Sequence, residues 1–361
     1  MKVLLIGGTG TLSRDTTNLL IKRNHEVYLF NRGNNNASVD GENLNFISGD
    51  IYDVEETKKT LKNYYFDVVI DYLVFNLETL KNRVDIFSNI TKQYIYISSA
   101  TVFAPSENCI SENSIKGNDD WIYSKRKCEC EQYLIDHKNE FGFVYTIVRP
   151  YLTYDNRRIP YPNISKVSCW NLLYRIEKSI PIIMCGDGNQ KVTVTNTKDF
   201  AEGIVGLIQN PKAVNEDFNI VGDTVTTWND IIRTIEKRLG KKANIIYVTQ
   251  EESVKYLSSM REEVLFDKGY SHVFNNEKIK AAVPSFTTNY TIEKGLLETI
   301  DNLMKNEKYH RFDYRWNIAM NIMCNKYGSC NLRVTFKDKF VNFYYDSKVM
   351  YTLRKMWHKF R

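Results

Sequence analysis

Short apolar runs separated by polar segments of helical period dominate the first 150 residues. KVLLIG (2–7), EVYLFN (26–31), LNFIS (44–48), DVVIDYL (67–73), YIYIS (94–98) and YTIVRP (145–150) are rich in β-branched and aromatic residues. Each is long enough for a strand and too short for a buried helix. Between them, residues 11–23, 54–63, 77–90 and 121–139 carry apolar positions at three- and four-residue spacing, which predicts helices. Strands apolar on both faces, joined by helical crossovers, predict an α/β fold with a doubly wound parallel sheet of Rossmann type. Beyond Arg149 the pattern loosens. RPYLTYDNRRIPYPN (149–163) reads as loop, helices follow near 165–178, 197–208 and 227–239, and small strands intervene. The expected organisation is a dinucleotide-binding domain at 1–150 and a smaller C-terminal substrate lobe at 151–308. Some segments of the lobe are placed to return to the main sheet. A C-terminal extension covers 309–361; in it, LRVTFKDKFVNFYYD (332–346) alternates with a strand-like period, and YTLRKMWHKFR (351–361) predicts a short basic amphipathic helix.

Several function classes drop out. No stretch approaches the roughly 18 apolar residues of a membrane helix. The apolar run at the start, Val3 to Ile6, is too short for a signal-peptide core, so a soluble, cytoplasmic protein is expected. The seven cysteines are odd in number and scattered, which suits reduced thiols. Cys128 and Cys130 stand two apart, roughly 200° around a helix, with no second pair at zinc spacing and the five histidines dispersed. No metal site is expected. The net charge of +6 is concentrated at one end: from Tyr309 to Arg361 eleven Lys and Arg face three Asp, leaving about −2 for the rest. The main body therefore gives no electrostatic reason to bind nucleic acid.

The chemistry begins at KVLLIGGTGTLSRDTTNLL, a strand, a glycine turn and a helix with glycines at 7, 8 and 10. Such a turn lets the backbone approach a pyrophosphate, and the free N–H groups at the start of the next helix favour the anion. Ser13 occupies the place of a third small residue. The second strand ends in Asn31-Arg32, where a site that prefers NAD usually has an acid for the ribose 2′-hydroxyl. A guanidinium there can grip a 2′-phosphate, so NAD(P) is the expected cofactor with NADP(H) favoured. The other reading of Arg32 is a surface arginine in a loop. Asp50 and Ile51 close the third strand and suit an adenine edge.

Tyr123 and Lys127 stand four apart on a predicted helix and share a face. An ammonium beside a phenol favours the phenolate and makes it a usable proton shuttle. Tyr–Lys pairs at this spacing also arise by chance; the order is what informs. A glycine turn comes first, then the strand end YISSATVF with its hydroxyls at Ser98 and Ser99, then Tyr and Lys 24 and 28 residues after Ser99.

GGTGTLS, YISSATVFA, YSKRK and IVRPYLTYD together resemble the extended short-chain dehydrogenase/reductase superfamily, in its NAD-dependent epimerase/dehydratase branch, over residues 1 to about 305. The resemblance implies that Gly7, Gly10, Arg32, Asp50 and Ile51 bind cofactor, with Thr11, Leu12 and Asn31 beside them. It implies that Ser99, Tyr123 and Lys127 are catalytic, Lys127 also holding the nicotinamide ribose. The implied activity is epimerisation or oxidoreduction of a sugar, expected to be nucleotide-linked, in a homo-oligomer. An NADPH-dependent ketone reductase is the alternative. So is a non-catalytic dinucleotide-binding module that contacts RNA or a protein, since related chloroplast RNA-binding proteins share the scaffold. Two departures stand out. Ala100-Thr101 replaces the acidic pair of sugar-nucleotide dehydratases, which disfavours simple dehydration. Val192 and Thr193 replace the Arg-Asp that grips a diphosphate after the GDG segment, leaving Lys191, Arg157, Arg158 or Arg261 as substitutes. Thirteen aromatics fall in residues 309–361. They suit either an anionic membrane or nucleic acid, or packing on the protein's own body, and the second is expected.

Overall fold

The computed structural model describes residues 1–33, 38–118, 120–346 and 350 of the 361-residue chain. In chain order the first half holds β1 (Lys2–Ile6), α1 (Arg14–Lys22), β2 (Glu26–Asn31), β3 (Leu44–Ser48), α2 (Val54–Leu61), β4 (Phe66–Asp71), α3 (Leu77–Phe87), β5 (Thr91–Ile97), α4 (Ile122–Asp136) and β6 (Val144–Pro150). The second half begins with β7 (Thr153–Tyr154), α5 (Trp170–Glu177), β8 (Ile182–Cys185), β9 (Lys191–Thr193), β10 (Thr195–Asn196), α6 (Thr197–Leu207) and β11 (Glu216–Ile220). It continues with β12 (Val225–Thr227), α7 (Trp228–Leu239), β13 (Ile245–Val248), α8 (Gln250–Val254) and α9 (Arg261–Glu263). It closes with α10 (Glu277–Ala282), α11 (Ile292–Lys305), α12 (Tyr314–Tyr327) and α13 (Phe336–Asp346).

Seven strands form one parallel sheet in the order β11-β6-β5-β4-β1-β2-β3. Its interior strand β1 shows why the sequence folds this way. Val3, Leu4, Leu5 and Ile6 are all fully buried, and successive side chains alternate between two cores. Val3 and Leu5 join Leu20, Phe200, Ile204 and Ile279 on one face. Leu4 and Ile6 join Leu61, Leu80, Ile86 and Leu134 on the other. At about 1.5–3 kcal/mol for each fully buried aliphatic side chain, neither face tolerates a polar residue. The expected doubly wound sheet is present.

The chain divides into two compact units. The first contains residues 1–155, 193–224 and 273–290, so from the stretch assigned to the lobe by sequence β11 completes the main sheet and α6 packs on one of its faces. The second contains residues 156–192, 225–272 and 291–361. There β8 and β13 pair in parallel, and Ile183, Cys185, Val248 and Met260 form a core with Trp316, Ala319, Met320 and Met323 of α12. Trp316 and Tyr327 of α12 thus pack on this core, whereas Tyr314 stays exposed. The strand expected in 332–346 is absent: Phe336–Asp346 is helical. Thr335 and Asp338 exchange backbone–side-chain hydrogen bonds of 2.8 and 3.2 Å as a capping box, which commits this segment to a helix. The basic helix expected at 351–361 lies outside the described residues. No helix among the described residues is long and apolar enough to cross a membrane.

Candidate active site

At the C-terminal edge of β1 the chain must turn before α1 can cross the sheet. Gly7 makes that turn at φ +86°, in the left-handed region, and a Cβ there would meet Leu73 at 3.0 Å. Gly8 lets α1 lie close to the sheet, since a Cβ would meet Leu29 at 2.4 Å. Ser13 locks the loop: its hydroxyl donates to Gly7 O at 2.5 Å and accepts from Gly10 N at 3.0 Å. Thr17 Oγ1 donates to Gly8 O at 2.7 Å. Ser13 therefore does more than stay small.

A cleft of about 270 Å³ opens over this turn, lined by Gly7, Thr9, Gly10, Phe30, Asn31, Arg32, Gly49, Asp50, Ile51, Tyr52 and Leu73. Six of the expected cofactor residues meet there: Gly7, Gly10, Asn31, Arg32, Asp50 and Ile51. Thr11, Leu12 and Lys127 do not line it; Leu12 packs against the core instead, and the Lys127 ammonium is held by Val74 O and Ile97 O. Thr9, Tyr52 and Leu73 were not legible as site residues. Tyr52 directly follows the Asp50-Ile51 pair, and its hydroxyl donates to Leu73 O at 3.0 Å across the cleft.

The cleft fits a dinucleotide on an observation of its own. Asn31 Oδ1 accepts from Gly33 N at 2.7 Å, but Asn31 Nδ2 is buried with no hydrogen-bond partner. A buried donor without an acceptor is costly, and a ribose or phosphate oxygen at the end of β2 would satisfy it. The adjacent Arg32 is exposed and makes no ion pair among the described residues. Beneath the wall, Arg83 and Asp71 form a fully buried pair, Nε to Oδ2 at 3.0 Å. Arg83 Nη1 donates to Ile51 O at 2.6 Å, and Asp71 accepts from Leu73 N at 2.8 Å and Tyr94 Oη at 3.0 Å. This pair fixes two cleft residues, Ile51 and Leu73, from behind.

The second part of the site is built on α4. Tyr123, Lys127 and Glu131 follow at four-residue intervals and so share one face. Glu131 is fully buried and anchors the helix: it accepts from Arg149 Nε and Nη2 at 2.8 Å each, from Ser98 Oγ at 2.6 Å and from Lys116 Nζ at 3.0 Å. Burial pushes its carboxyl up, and Arg149 and Lys116 more than offset this, holding it below the usual carboxylate range. Glu131 was missed from sequence; the signal was an acid continuing the Tyr–Lys spacing by one more turn. Ser124 Oγ donates to Thr101 O at 2.7 Å, docking the start of α4 against the end of β5.

Lys127 is 1% exposed. Its ammonium donates to Val74 O at 2.6 Å and Ile97 O at 2.8 Å and lies 5.8 Å from the centre of the Tyr123 ring. Burial lowers its pKa to about 8, against the attraction of Cys130, Asp71 and Glu131. Tyr123 is half-buried, its ring 5.4 Å from that of Trp121. Ser99 lies two residues beyond Ile97, and its Oγ receives hydrogen bonds from Thr101 N at 3.3 Å and Thr101 Oγ1 at 2.9 Å. With both acceptor positions used, the Ser99 proton is left to donate. The structure thus gathers Tyr123 and Lys127 on one helix, docked on the strand end that carries Ser99. Among the described residues no cluster of His, Cys, Asp or Glu could hold a metal ion.

The sequence model of the NAD dependent epimerase/dehydratase family matches residues 3–221, more than half of the chain. The chain belongs to this family. It is an enzyme of the NAD(P)-dependent oxidoreductase type, and its family match covers both the glycine turn and α4. Among curated proteins, the chloroplast stem-loop binding protein of 41 kDa b from Arabidopsis thaliana is 28% identical over 254 residues, 66% of this chain. The match spans 63% of that relative, less than two thirds of its length. The bifunctional pinoresinol-lariciresinol reductase of Forsythia intermedia is 23% identical over 305 residues, covering 79% of this chain and 90% of its own. Among solved structures, UDP-glucuronic acid 4-epimerase from Bacillus cereus in complex with NAD superimposes with a TM-score of 0.69 at 19% identity. That match covers 84% of this chain and 99% of the epimerase, and at this identity it speaks for the fold.

Proposed function

We propose that this enzyme interconverts a secondary alcohol and a ketone on a sugar, with NADP(H) as cofactor and Tyr123 as the proton shuttle. The observation that carries the reading is the buried Lys127 ammonium, held by two backbone carbonyls near the Tyr123 ring. Its positive charge stabilises the negative charge the phenol oxygen carries once its proton has left. Ser99 donates its free proton to the same substrate oxygen and orients it. Gly7, Gly10, Asn31, Arg32, Asp50 and Ile51 would hold the dinucleotide, which supplies the hydride acceptor and donor when bound. Arg32, with no acid beside it at the end of β2, supports a 2′-phosphate and hence NADP(H). Epimerisation follows if the ketone turns before it is reduced again. A nucleotide-linked sugar is the substrate this family reading favours, and the B. cereus neighbour is a UDP-glucuronic acid epimerase.

A second reading, a one-way NADPH-dependent ketone reductase, draws on Arg32 and on the fate of the diphosphate grip. Val192 and Thr193 are fully buried and offer nothing to a diphosphate. The reductases among the relatives point the same way. The two readings separate in one experiment. Purified protein is incubated with nucleotide sugars, and with aryl and sugar ketones plus NADPH, while NMR follows inversion at the carbinol carbon and absorbance follows NADPH. Inversion without net loss of NADPH establishes the epimerase, and stoichiometric loss the reductase. If neither occurs with any substrate while RNA is retained, the chain is a binding module and the catalytic reading fails.

A further inference from the structure

A second cavity lies wholly within the second unit and involves no residue of the dinucleotide cleft. It has a volume of about 380 Å³ and is bounded by α5, α12 and the segment after α12. Its size lies within the range of small-molecule sites, roughly 300–1,000 Å³. Three aromatic side chains, Tyr174, Phe312 and Tyr314, and two aliphatic ones, Ile180 and Leu332, form its apolar lining. Tyr174 and Phe312 meet edge to face, with ring centres 4.8 Å apart at 89°. Phe312 and Tyr314 are 56% and 57% exposed and so are open to an incoming ring.

The polar part of the lining is cationic. Arg175, on α5, is 2% exposed, and no carboxylate forms an ion pair with it among the described residues. Its partners are neutral: Nε donates to Pro181 O at 2.8 Å, and Nη1 donates to Asn317 Oδ1 at 3.3 Å and Asn321 Oδ1 at 2.9 Å. Nη2 has only a long contact of 3.9 Å to Cys324 Sγ. A buried guanidinium without a counter-charge is held at a cost, and proteins rarely keep one unless an anion completes it. Arg333, exposed, adds a second cation to the lining. Asp338 is held by the Tyr314 hydroxyl and by Thr335 N and does not line the cavity.

The geometry points to an accessory binding site for a small aromatic carboxylate, its ring between Tyr174, Phe312 and Tyr314 and its carboxylate drawn to Arg175 and Arg333. A carboxylate suits the site better than a phosphate. With Nε and Nη1 already committed, Arg175 cannot present a two-pronged fork to either anion, and too few donors are left for the three oxygens of a phosphate. One remaining edge and one exposed arginine match a single negative charge. Tyr174, Arg175 and Ile180 lie within the part of the chain that matches the family model, whereas Phe312, Tyr314, Leu332 and Arg333 follow it, so the extension completes this site.

The test uses the full chain with fluorobenzoate as probe, read by fluorine NMR, beside neutral fluorobenzamide and inorganic phosphate. Saturable fluorobenzoate binding is expected, with fluorobenzamide at least about tenfold weaker because it lacks the charge. Phe312→Ala and Arg333→Glu alter exposed side chains and leave the buried Arg175 network intact; each should weaken fluorobenzoate about tenfold or more. Phosphate should not displace it. No saturable binding up to about 10 mM would overturn the assignment. So would benzamide binding as tightly, displacement by phosphate, or unchanged affinity in Phe312→Ala, which would place the probe elsewhere.

Discussion

Removing the Arg83 guanidinium should damage the dinucleotide cleft without replacing any residue that lines it. In Arg83→Met the fully buried Asp71 keeps Tyr94 Oη and Leu73 N as donors but loses its counter-charge, and Ile51 O loses its 2.6 Å bond. Breaking a buried pair from one side costs about 3–5 kcal/mol, because the remaining charge is stranded. Arg83 Nη2 is itself buried without a partner, so the variant sheds one existing penalty. The expected loss is therefore near the low end, ~3 kcal/mol. Because Ile51 and Leu73 line the cleft, NADP(H) affinity should also fall by about 5- to 30-fold, ~1–2 kcal/mol. Adding Asp71→Asn removes the stranded charge while keeping an acceptor for Tyr94, and about 1–2 kcal/mol should return. Urea unfolding gives the stability change, hydrogen exchange on β4 and α3 localises it, and calorimetry gives the affinity. A single variant that loses under about 1 kcal/mol, or a double variant no better than the single, would refute the account of this pair.

Further outcomes follow from other parts of the site. Arg32→Asp should weaken NADP(H) by about 1–3 kcal/mol with less effect on NAD(H); equal losses in calorimetry would mean that Arg32 does not read a phosphate. Burial lowers the Lys127 pKa, so the native ammonium is lost as pH rises through about 8, whereas an unfolded lysine keeps its proton to about 10.4. In that window the unfolded chain binds more protons, so this group's contribution to stability rises with pH while its hold on the dinucleotide declines. Affinity should drop several-fold between about pH 7 and about pH 9.5 in the wild type and stay flat in Lys127→Met; a flat wild-type profile would contradict this. Gly7→Ala should cost about 1–2 kcal/mol through its left-handed backbone alone, read by urea unfolding, and should displace Leu73 into the cleft.

Much of the first unit was legible because its strands are buried on both faces. An uninterrupted run such as Val3 to Ile6 has no other stable arrangement once helices flank it. The glycine turn and the Tyr123–Lys127 pair were legible for a similar reason, since local spacing determines which side chains share a face. Partners far apart in sequence were hidden. Arg83 and Asp71 look like surface charges until the sheet brings β4 beside α3, and Glu131 meets Arg149 only through the β5–β6 pairing. The short run Glu216–Ile220 gave little sign that it returns to the edge of the main sheet, where β6 pairs with it. The segment 332–346 misled because aromatic and charged residues alternate at first glance. Phe336, Phe340, Phe343 and Tyr344 in fact follow helical spacing, and the Thr335–Asp338 cap was available to decide it.

The most direct test of the central claim is Tyr123→Phe, assayed on whichever substrate turns over and titrated with NADP(H) by calorimetry. The substitution deletes one hydroxyl on α4 and leaves the glycine turn, Arg32 and the Lys127 ammonium in place. Turnover should fall by about 10²- to 10⁴-fold, the usual contribution of a positioned acid–base group, with dinucleotide affinity within about twofold of wild type. Wild-type turnover in Tyr123→Phe, with the cofactor still bound, would show that the proton moves by another route and that the proposed mechanism is wrong.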